Sequence, residues 1–172
     1  TLWQVAKRHG TQIPHLCYAD QPGYRADGNC RACMVEIEGE RTLAPACCRQ
    51  PVAGMVVRTR SERALRSQRL MLELLQSDMP ETAYTRHNEL DVWSQRLGVG
   101  QPRFPGRRQP RADLSHPAIA VRLDACIQCT RCIRFLREIE QGEEFALFNR
   151  GAEVDVGTYL EHNLSHNYQG CL

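Results

Sequence analysis

Several features that mark common protein classes are missing from this sequence of 172 residues. No apolar run is long enough to span a membrane, so we expect no membrane-spanning segment. No stretch has the character of a signal peptide, which argues against a secreted, disulfide-bonded protein. The sequence also lacks a Gly-x-Gly-x-x-Gly fingerprint, a P-loop and a plausible nucleophile–base pair. It therefore offers no centre for bond-making chemistry.

The sequence also has little net charge and few aromatic side chains. The 22 basic and 20 acidic residues leave a net charge of +2, and only 6% of residues are aromatic. One local basic run contains Arg103, Arg107, Arg108 and Arg111. Because no aromatic residues are spaced there for base stacking, we interpret the run as a solvated linker and predict no nucleic-acid partner.

Cysteine, in contrast, is abundant and falls into two groups. Five of the nine cysteines lie between positions 17 and 48, four lie between 126 and 171, and none lies in between. An odd number of cysteines, with Cys47 adjacent to Cys48, fits ordinary disulfide bridges poorly. We therefore predict a reduced, cytoplasmic protein whose thiols bind metal.

The first group has the spacing of a [2Fe–2S] site. Twelve residues separate Cys17 from Cys30, Cys33 forms a close pair with Cys30, and thirteen residues separate Cys33 from Cys47. Four cysteine thiolates are what a [2Fe–2S] cluster requires. Small residues around Cys30 would let backbone N–H groups approach the sulfurs. Structural zinc is the alternative, although a zinc ribbon usually pairs two Cys-x-x-Cys steps and only one is present here. We expect Cys48 to be a buried small side chain, and the alternative is that it replaces Cys47 as a ligand.

The second group, Cys126, Cys129 and Cys132, forms a Cys-x-x-Cys-x-x-Cys run that can bind three corners of a [4Fe–4S] cluster. Leu136 stands where two-cluster ferredoxins have their next cysteine, so a single cluster with a distant fourth ligand is predicted. Cys171 is the one distant cysteine available. Zinc is again the alternative, with a histidine completing the site. The candidate histidines are His116, His162 and His166.

The residues around the first group resemble a known ferredoxin-type domain. The segments that carry the resemblance are 13–18, 28–36 and 43–47. They are similar to the domain that opens the large iron–sulfur subunit of the complex I NADH-oxidising module. The same domain opens the alpha subunit of NAD-dependent molybdenum or tungsten formate dehydrogenases. The resemblance implies a β-grasp fold over residues 1–78, and the interval to Gly54 implies Cys47, not Cys48, as the fourth ligand. It also implies an N-terminal hairpin that is missing here.

The second group resembles the corresponding complex I segment, over residues 132–139 and 168–172. In that segment the fourth ligand would fall just after Leu172, which makes Cys171 a doubtful ligand. The related subunit carries a further cluster between these two, but no cysteine lies near His87 to bind one. Its absence favours the formate dehydrogenase side of the resemblance, whereas Leu136 departs from that pattern.

We therefore predict an α+β chain in three parts. These are a [2Fe–2S] β-grasp domain over residues 1–78, a helix and Pro/Arg-rich linker over 79–112, and a small [4Fe–4S] domain over 113–172 that is truncated at its C-terminal end. Apolar periodicity predicts helices over 2–9, 62–76, 89–97 and 131–141. Ser61 is the expected N-cap of the second helix, and its core stripe is Leu65, Leu72 and Leu75. In the last helix, Ile133, Leu136 and Ile139 lie on the expected core face. Alternating patterns predict strands over 34–38, 41–45, 55–59, 118–123, 144–148 and 153–156.

The predicted function is electron transfer inside a larger oxidoreductase. The resemblance implies a flavin-bearing, NADH-oxidising subunit at one end. At the other end it implies a molybdopterin formate-oxidising domain or a further iron–sulfur relay. Two rivals remain open: a zinc-stabilised interaction or nucleic-acid-binding module, and an iron–sulfur redox sensor. Two differently built sites in series favour electron transfer.

Overall fold

The computed structural model describes residues 1–80, 88–108, 112, 114, 117–118, 120–142 and 145–158. Within these residues the chain forms two small antiparallel sheets and four α-helices, which confirms the predicted α+β class. No helix in this part of the chain has both the length and the apolar character needed to cross a membrane. Cys171 and the three candidate histidines lie outside the described residues.

The N-terminal sheet has the strand order β2-β1-β3, with β1 at Met34–Ile37, β2 at Ala44–Pro45 and β3 at Val57–Arg58. All three strands were predicted, and the observed ones are shorter. Val35 and Ile37 alternate with more exposed neighbours along β1, so one face of the sheet is buried.

Helix α1, at Leu2–Arg8, covers the buried face of this sheet. Leu2 and Trp3 share a hydrophobic cluster with Val35 and Ile37. The helix begins with a capping box, in which the Thr1 side chain accepts from the Gln4 N–H group. The capping box satisfies backbone N–H groups in the first turn of the helix.

Helix α2, at Glu62–Ser77, packs beside β1. Ser61 caps its first turn as predicted, and the Gln68 Nε2 group donates to the Met34 carbonyl oxygen at 2.8 Å. Of the leucines predicted to form its core stripe, Leu72 is fully buried, whereas Leu65 and Leu75 are half-buried.

Helix α3, at Glu89–Leu97, matches the predicted bounds and packs against α2. Leu90 lies in the same hydrophobic cluster as Leu16 and Leu72. Part of the segment predicted as a linker therefore contributes to the core beneath the first cysteine group.

The C-terminal part begins with a short 3-10 turn at Leu123–Ala125 and continues into α4 at Arg131–Phe135. Strands β4 (Phe145–Phe148) and β5 (Asp155–Thr158) form an antiparallel hairpin close to the two predicted strands. The strand predicted over 118–123 is not confirmed, because Val121 makes only an isolated bridge in the described part of that segment.

The helix predicted over 131–141 changes character along its length. After α4 it continues as a π-helical turn at Leu136–Glu140. A π turn holds more residues than an α turn. Apolar residues spaced at 3.6 residues per turn therefore no longer lie on one face of the helix. Leu136 is buried as predicted, but Ile139 is 39% exposed, and the polar Arg134 is the fully buried residue.

Candidate metal centres

The four cysteines predicted to bind a [2Fe–2S] cluster come together in the interior. Cys17, Cys33 and Cys47 have no exposed surface, and Cys30 is 5% exposed. The Sγ atoms of Cys33 and Cys47 are 3.4 Å apart, and the Cys17 N–H group donates to Cys30 Sγ at 3.4 Å. The chain thus gathers the four predicted sulfur donors in one buried place.

Strand pairing explains why Cys33 and Cys47 meet. Cys33 directly precedes β1, and Cys47 follows β2 by two residues. In the register of these strands Met34 lies opposite Pro45, and the Ala46 N–H group donates to the Cys33 carbonyl oxygen at 3.0 Å. The antiparallel ladder therefore carries the two thiols to the same end of the sheet.

Backbone conformation places Cys30. Gly28 (φ +68°) and Arg31 (φ 53°) both take left-handed conformations on either side of it. A Cβ atom on Gly28 would lie 3.0 Å from Cys48 Sγ, so the absence of a side chain there permits the close approach. The Ala32 N–H group is directed at the Cys30 sulfur. This confirms the expectation that small residues let backbone donors reach the sulfurs.

Hydrogen bonds link the four thiols. Hydrogen bonds from neighbouring thiols lower the pKa of Cys17 and of Cys33. The same contacts, together with burial, raise the pKa of Cys30 and of Cys47. Metal binding requires all four as thiolates, so loading this site releases protons.

Cys48 lies at the edge of the group, not in its centre. Its side chain is half-buried, with Sγ 3.6 Å from Cys47 Sγ and 3.7 Å from the Ala26 carbonyl oxygen that it donates to. It also packs against the hydrophobic cluster beneath the sheet. The predicted role as a small packing residue thus agrees with its position, although its burial is incomplete.

The second cysteine group sits on an irregular loop between the 3-10 turn and α4. Gln128 (φ 55°) and Thr130 (φ 59°) are left-handed, which curls the loop between its cysteines. The Gln128 N–H group donates to Cys126 Sγ at 3.4 Å. Burial raises the pKa of Cys126 and of Cys129. All three cysteines are half-buried.

An arginine from the predicted linker supports this loop. The Arg107 Nη2 group donates to the carbonyl oxygens of Cys126, at 2.7 Å, and Leu123, at 3.3 Å. The Arg107 N–H group donates to an Asp78 carboxylate oxygen at 2.9 Å. Arg103 pairs with Glu73 at 2.7 Å. The basic run is therefore attached to the folded chain at two places, contrary to the interpretation as a solvated linker.

The donor chemistry of both groups suits iron–sulfur clusters. Each supplies cysteine sulfur, the soft ligand that selects iron–sulfur clusters, zinc or copper(I) over hard cations. The first group provides the four thiols of a [2Fe–2S] site, and the second provides three of the four for a [4Fe–4S] site. None of the eight described cysteines forms a disulfide. Among the described residues, no group of three or more His, Cys, Asp or Glu side chains is arranged to hold a metal ion.

The two cysteine groups adjoin each other. Cys129 and Ile127, from the second loop, pack against the hydrophobic cluster that contains Cys17 and Cys30. Asn29 and Thr130 join the two loops directly, through a hydrogen bond of 2.6 Å.

Arg134 lies between the two groups, fully buried. It donates to the backbone carbonyl oxygens of Cys17 and Cys129, one from each group. Sequence reasoning missed it, because the periodicity of the predicted helix assigned the core face to its apolar residues. The available signal was an arginine within a predicted helix, two residues after the last cysteine of the run.

Comparison with protein families agrees with this geometry. Residues 1–62 match the family described as a 2Fe-2S iron-sulfur cluster binding domain. Residues 116–172 match the family described as the ferredoxin-like domain of NADH-quinone oxidoreductase subunit 3. The chain carries two iron–sulfur domains. The first match supports a [2Fe–2S] cluster and the second a [4Fe–4S] cluster, as predicted.

Individual proteins show the same relationship. The chain is 33% identical to the mitochondrial NADH-ubiquinone oxidoreductase 78 kDa subunit of Candida albicans, over 99% of this chain and 24% of that protein. It is 34% identical to an NADH-quinone oxidoreductase subunit of Rickettsia typhi, over 99% of this chain and 26% of that protein. The chain thus spans about a quarter of the length of these curated relatives.

A solved structure shares the fold. A chain in the crystal structure of an NAD⁺-reducing [NiFe]-hydrogenase, in the H₂-reduced state, aligns with a TM-score of 0.82 and 26% sequence identity. The alignment covers 94% of this chain and 69% of that one. The resemblance to the large complex I subunit is confirmed by these relatives, whereas the formate dehydrogenase relationship stays a prediction.

Proposed function

We propose that this chain relays single electrons between a [2Fe–2S] cluster and a [4Fe–4S] cluster inside a larger NAD(H)-linked oxidoreductase. The observation that carries the proposal is the contact between the two cysteine groups, since Cys129 packs directly on the cluster of residues around Cys17. When bound, the two clusters supply one-electron oxidation and reduction. The rest of the work belongs to the protein, which holds them close, shields them from water and fixes their surroundings.

We assign Cys17, Cys30, Cys33 and Cys47 as the ligands of the [2Fe–2S] cluster. The contacts favour Cys33 and Cys47 as the ligands of one iron and Cys17 and Cys30 as the ligands of the other. Tetrahedral sulfur ligands of one ion, at about 2.3 Å from it, lie a little under 4 Å from each other. The 3.4 Å separation of Cys33 Sγ and Cys47 Sγ is close to that value.

We assign Cys126, Cys129 and Cys132 as three ligands of the [4Fe–4S] cluster. The fourth ligand stays a prediction, with Cys171 as the candidate within this sequence. The half-buried loop that carries these cysteines lies closer to the surface than the first group, where Cys17, Cys33 and Cys47 have no exposed surface.

The protein's contribution to electron transfer is rigidity and exclusion of water. The first group sits on strand ends and on core residues that include Leu16 and Leu72, both at most 2% exposed. Such a setting changes little when an electron arrives, which keeps the reorganisation that accompanies transfer small. Donors such as the Cys17 N–H group stabilise the more negative, reduced state of a cluster.

The relatives support a proposal for the partners. NADH-quinone oxidoreductases and an NAD⁺-reducing hydrogenase share chemistry at a nicotinamide nucleotide, whereas their other substrates differ. We therefore propose a flavin-bearing, NADH-oxidising subunit as one partner of this chain, in the cytoplasm. The second partner would be a further iron–sulfur relay or a molybdopterin domain that oxidises formate.

The test is metal analysis of anaerobically purified protein, followed by low-temperature EPR after reduction. We expect about six irons with matching sulfide, and two signals that differ in relaxation behaviour. Zinc without sulfide and a silent spectrum would instead establish the zinc-stabilised interaction module. Clusters that are readily lost and rebuilt in air, with no transfer between them, would establish the redox sensor.

A further inference from the structure

One positive charge is buried where the two cysteine loops meet. Arg134 lies on α4 and is 0% exposed. Burying a guanidinium is unfavourable unless its charge and its N–H groups are satisfied. Here one carboxylate and several oxygens satisfy it. The acceptors are Asp27 Oδ2 at 3.2 Å, Thr130 Oγ1 at 3.3 Å and the carbonyl oxygens of Arg25 at 2.5 Å, Cys129 at 3.2 Å and Cys17.

A single nitrogen of Arg134 joins the two groups. Its Nη2 atom donates to the carbonyl oxygen of Cys17 and to that of Cys129. Both acceptors belong to residues assigned as cluster ligands. The connection from one ligand cysteine to the other therefore consists of two backbone carbonyls and the N–H donors of one nitrogen.

Contacts around Arg134 hold this connection in place. The guanidinium lies over the Tyr24 ring, 4.7 Å from its centroid, and the Tyr24 hydroxyl donates to the Arg131 carbonyl oxygen at 2.5 Å. The Arg25 N–H group donates to a Glu138 carboxylate oxygen at 2.9 Å. The residues flanking Arg134 are thus fixed to the first domain from several directions.

We propose that Arg134 is a positioning residue for electron transfer between the two clusters. It fixes the spacing of the two ligand loops through Nη2, and it offsets the charge of Asp27, which would otherwise oppose an added electron at both clusters. This inference rests on the proposed function. It deepens that function by naming the group that couples the two sites.

Arg107 supplies a matched comparison within the same chain. It also donates to carbonyl oxygens of the second loop, at Cys126 and Leu123. Its backbone N–H group donates to Asp78, at the C-terminal end of α2. These contacts attach Arg107 to the second loop and to α2, and not to the ligand loops of the first group. Loss of Arg107 should therefore affect the second cluster alone.

The experiment compares the wild-type protein, with its clusters loaded, to Arg134→Gln, Arg134→Lys and Arg107→Gln. EPR-monitored redox titration gives the reduction potential of each cluster, and rapid freezing after a pulse of reductant gives the rate of transfer between them. In Arg134→Gln we expect the reduction equilibrium of both clusters to become at least tenfold less favourable, a fall of about 59 mV for a one-electron couple. We expect transfer between the clusters to slow at least tenfold. Arg107→Gln should lower the potential of the [4Fe–4S] cluster only.

Arg134→Lys keeps the charge but cannot reproduce the planar fork. We expect the reduction potentials of both clusters in Arg134→Lys to stay close to the wild-type values, while transfer between the clusters stays slow. If Arg134→Gln fails to fold, Arg134→Lys alone tests the inference. Wild-type rates in Arg134→Lys, or a shift confined to the second cluster in Arg134→Gln, would overturn the inference. A wild-type protein without two cluster signals would instead overturn the proposed function, so the two failures are distinguishable.

Discussion

Replacing Cys47 and Cys48 one at a time tests the ligand assignment at adjacent positions. Cys47 has no exposed surface and its Sγ lies 3.4 Å from Cys33 Sγ, whereas Cys48 is half-buried and lies at the edge of the group. Cys47→Ala removes one of the four donors of the [2Fe–2S] site. We expect the iron content to fall from about six to about four per chain, with loss of one EPR signal.

Cys48→Ala should keep about six irons and both signals. The sulfur that it removes is half-buried, so we expect a loss of stability below about 0.8 kcal/mol, the value for one fully buried CH₂ group. Iron and sulfide analysis, EPR and the urea midpoint of the visible absorbance measure these outcomes in all variants. The double variant Cys47→Ala/Cys48→Ala is the control, because in it Cys48 cannot replace Cys47 as a ligand.

The opposite pattern, in which Cys48→Ala loses two irons and Cys47→Ala keeps them, would refute the assignment of Cys47 as the ligand. A Cys47→Ala protein that retains its cluster only while Cys48 is present would show that the neighbouring thiol can replace the native ligand. The 3.6 Å between the two sulfurs makes that comparison necessary.

Three further substitutions test the surroundings of the site, each followed by the urea midpoint of cluster absorbance. Gly28→Ala adds a Cβ to a residue with φ +68° and places it 3.0 Å from Cys48 Sγ. We expect the free energy of unfolding to fall by about 1–2 kcal/mol from the backbone conformation alone, and further from the contact. In a Cys48→Ala background, Gly28→Ala should cost only the free energy due to the backbone conformation. Equal losses of stability in the two backgrounds would show that the contact with Cys48 Sγ costs nothing. Leu72→Ala, at 0% exposure, should destabilise the protein by about 2–5 kcal/mol, whereas Leu74→Ala on the same helix, at 37%, should cost less than about 1 kcal/mol. Ser61→Ala removes the cap of α2 and should cost about 1 kcal/mol, so an unchanged midpoint would show that the cap does not stabilise the helix.

The N-terminal half was largely predictable from its sequence. The spacing of Cys17, Cys30, Cys33 and Cys47 predicted four thiols that the structure brings together in the interior, and their assignment as cluster ligands stays a prediction. Ser61 predicted the start of α2, and the alternation of buried and exposed residues predicted β1. Both features depend on only a few neighbouring residues. Strand ends were less accurate, since the length of a ladder depends on partners distant in the chain.

The junction between the two groups was not predictable in the same way. A helix pattern counted at 3.6 residues per turn favours apolar residues for the core, and the π turn after α4 breaks that count. Arg134 is buried because its acceptors come from residues 17 and 25, more than 100 positions earlier. No local pattern contains that information. The contacts of Arg107 and Arg103 escaped prediction for the same reason.

The register of β1 against β2 has a consequence for how the protein matures. Cys33 and Cys47 meet because Met34 lies opposite Pro45. A slip of one residue would displace one cysteine along the strand by about 3.4 Å, as far as the two sulfurs are now apart, and would turn neighbouring side chains to the other face. A chain paired in the wrong register could not gather four thiols around iron. With the proposed [2Fe–2S] ligands, cluster insertion would act as a check on strand pairing, because only the correctly paired chain would gain the stabilisation that bound metal provides.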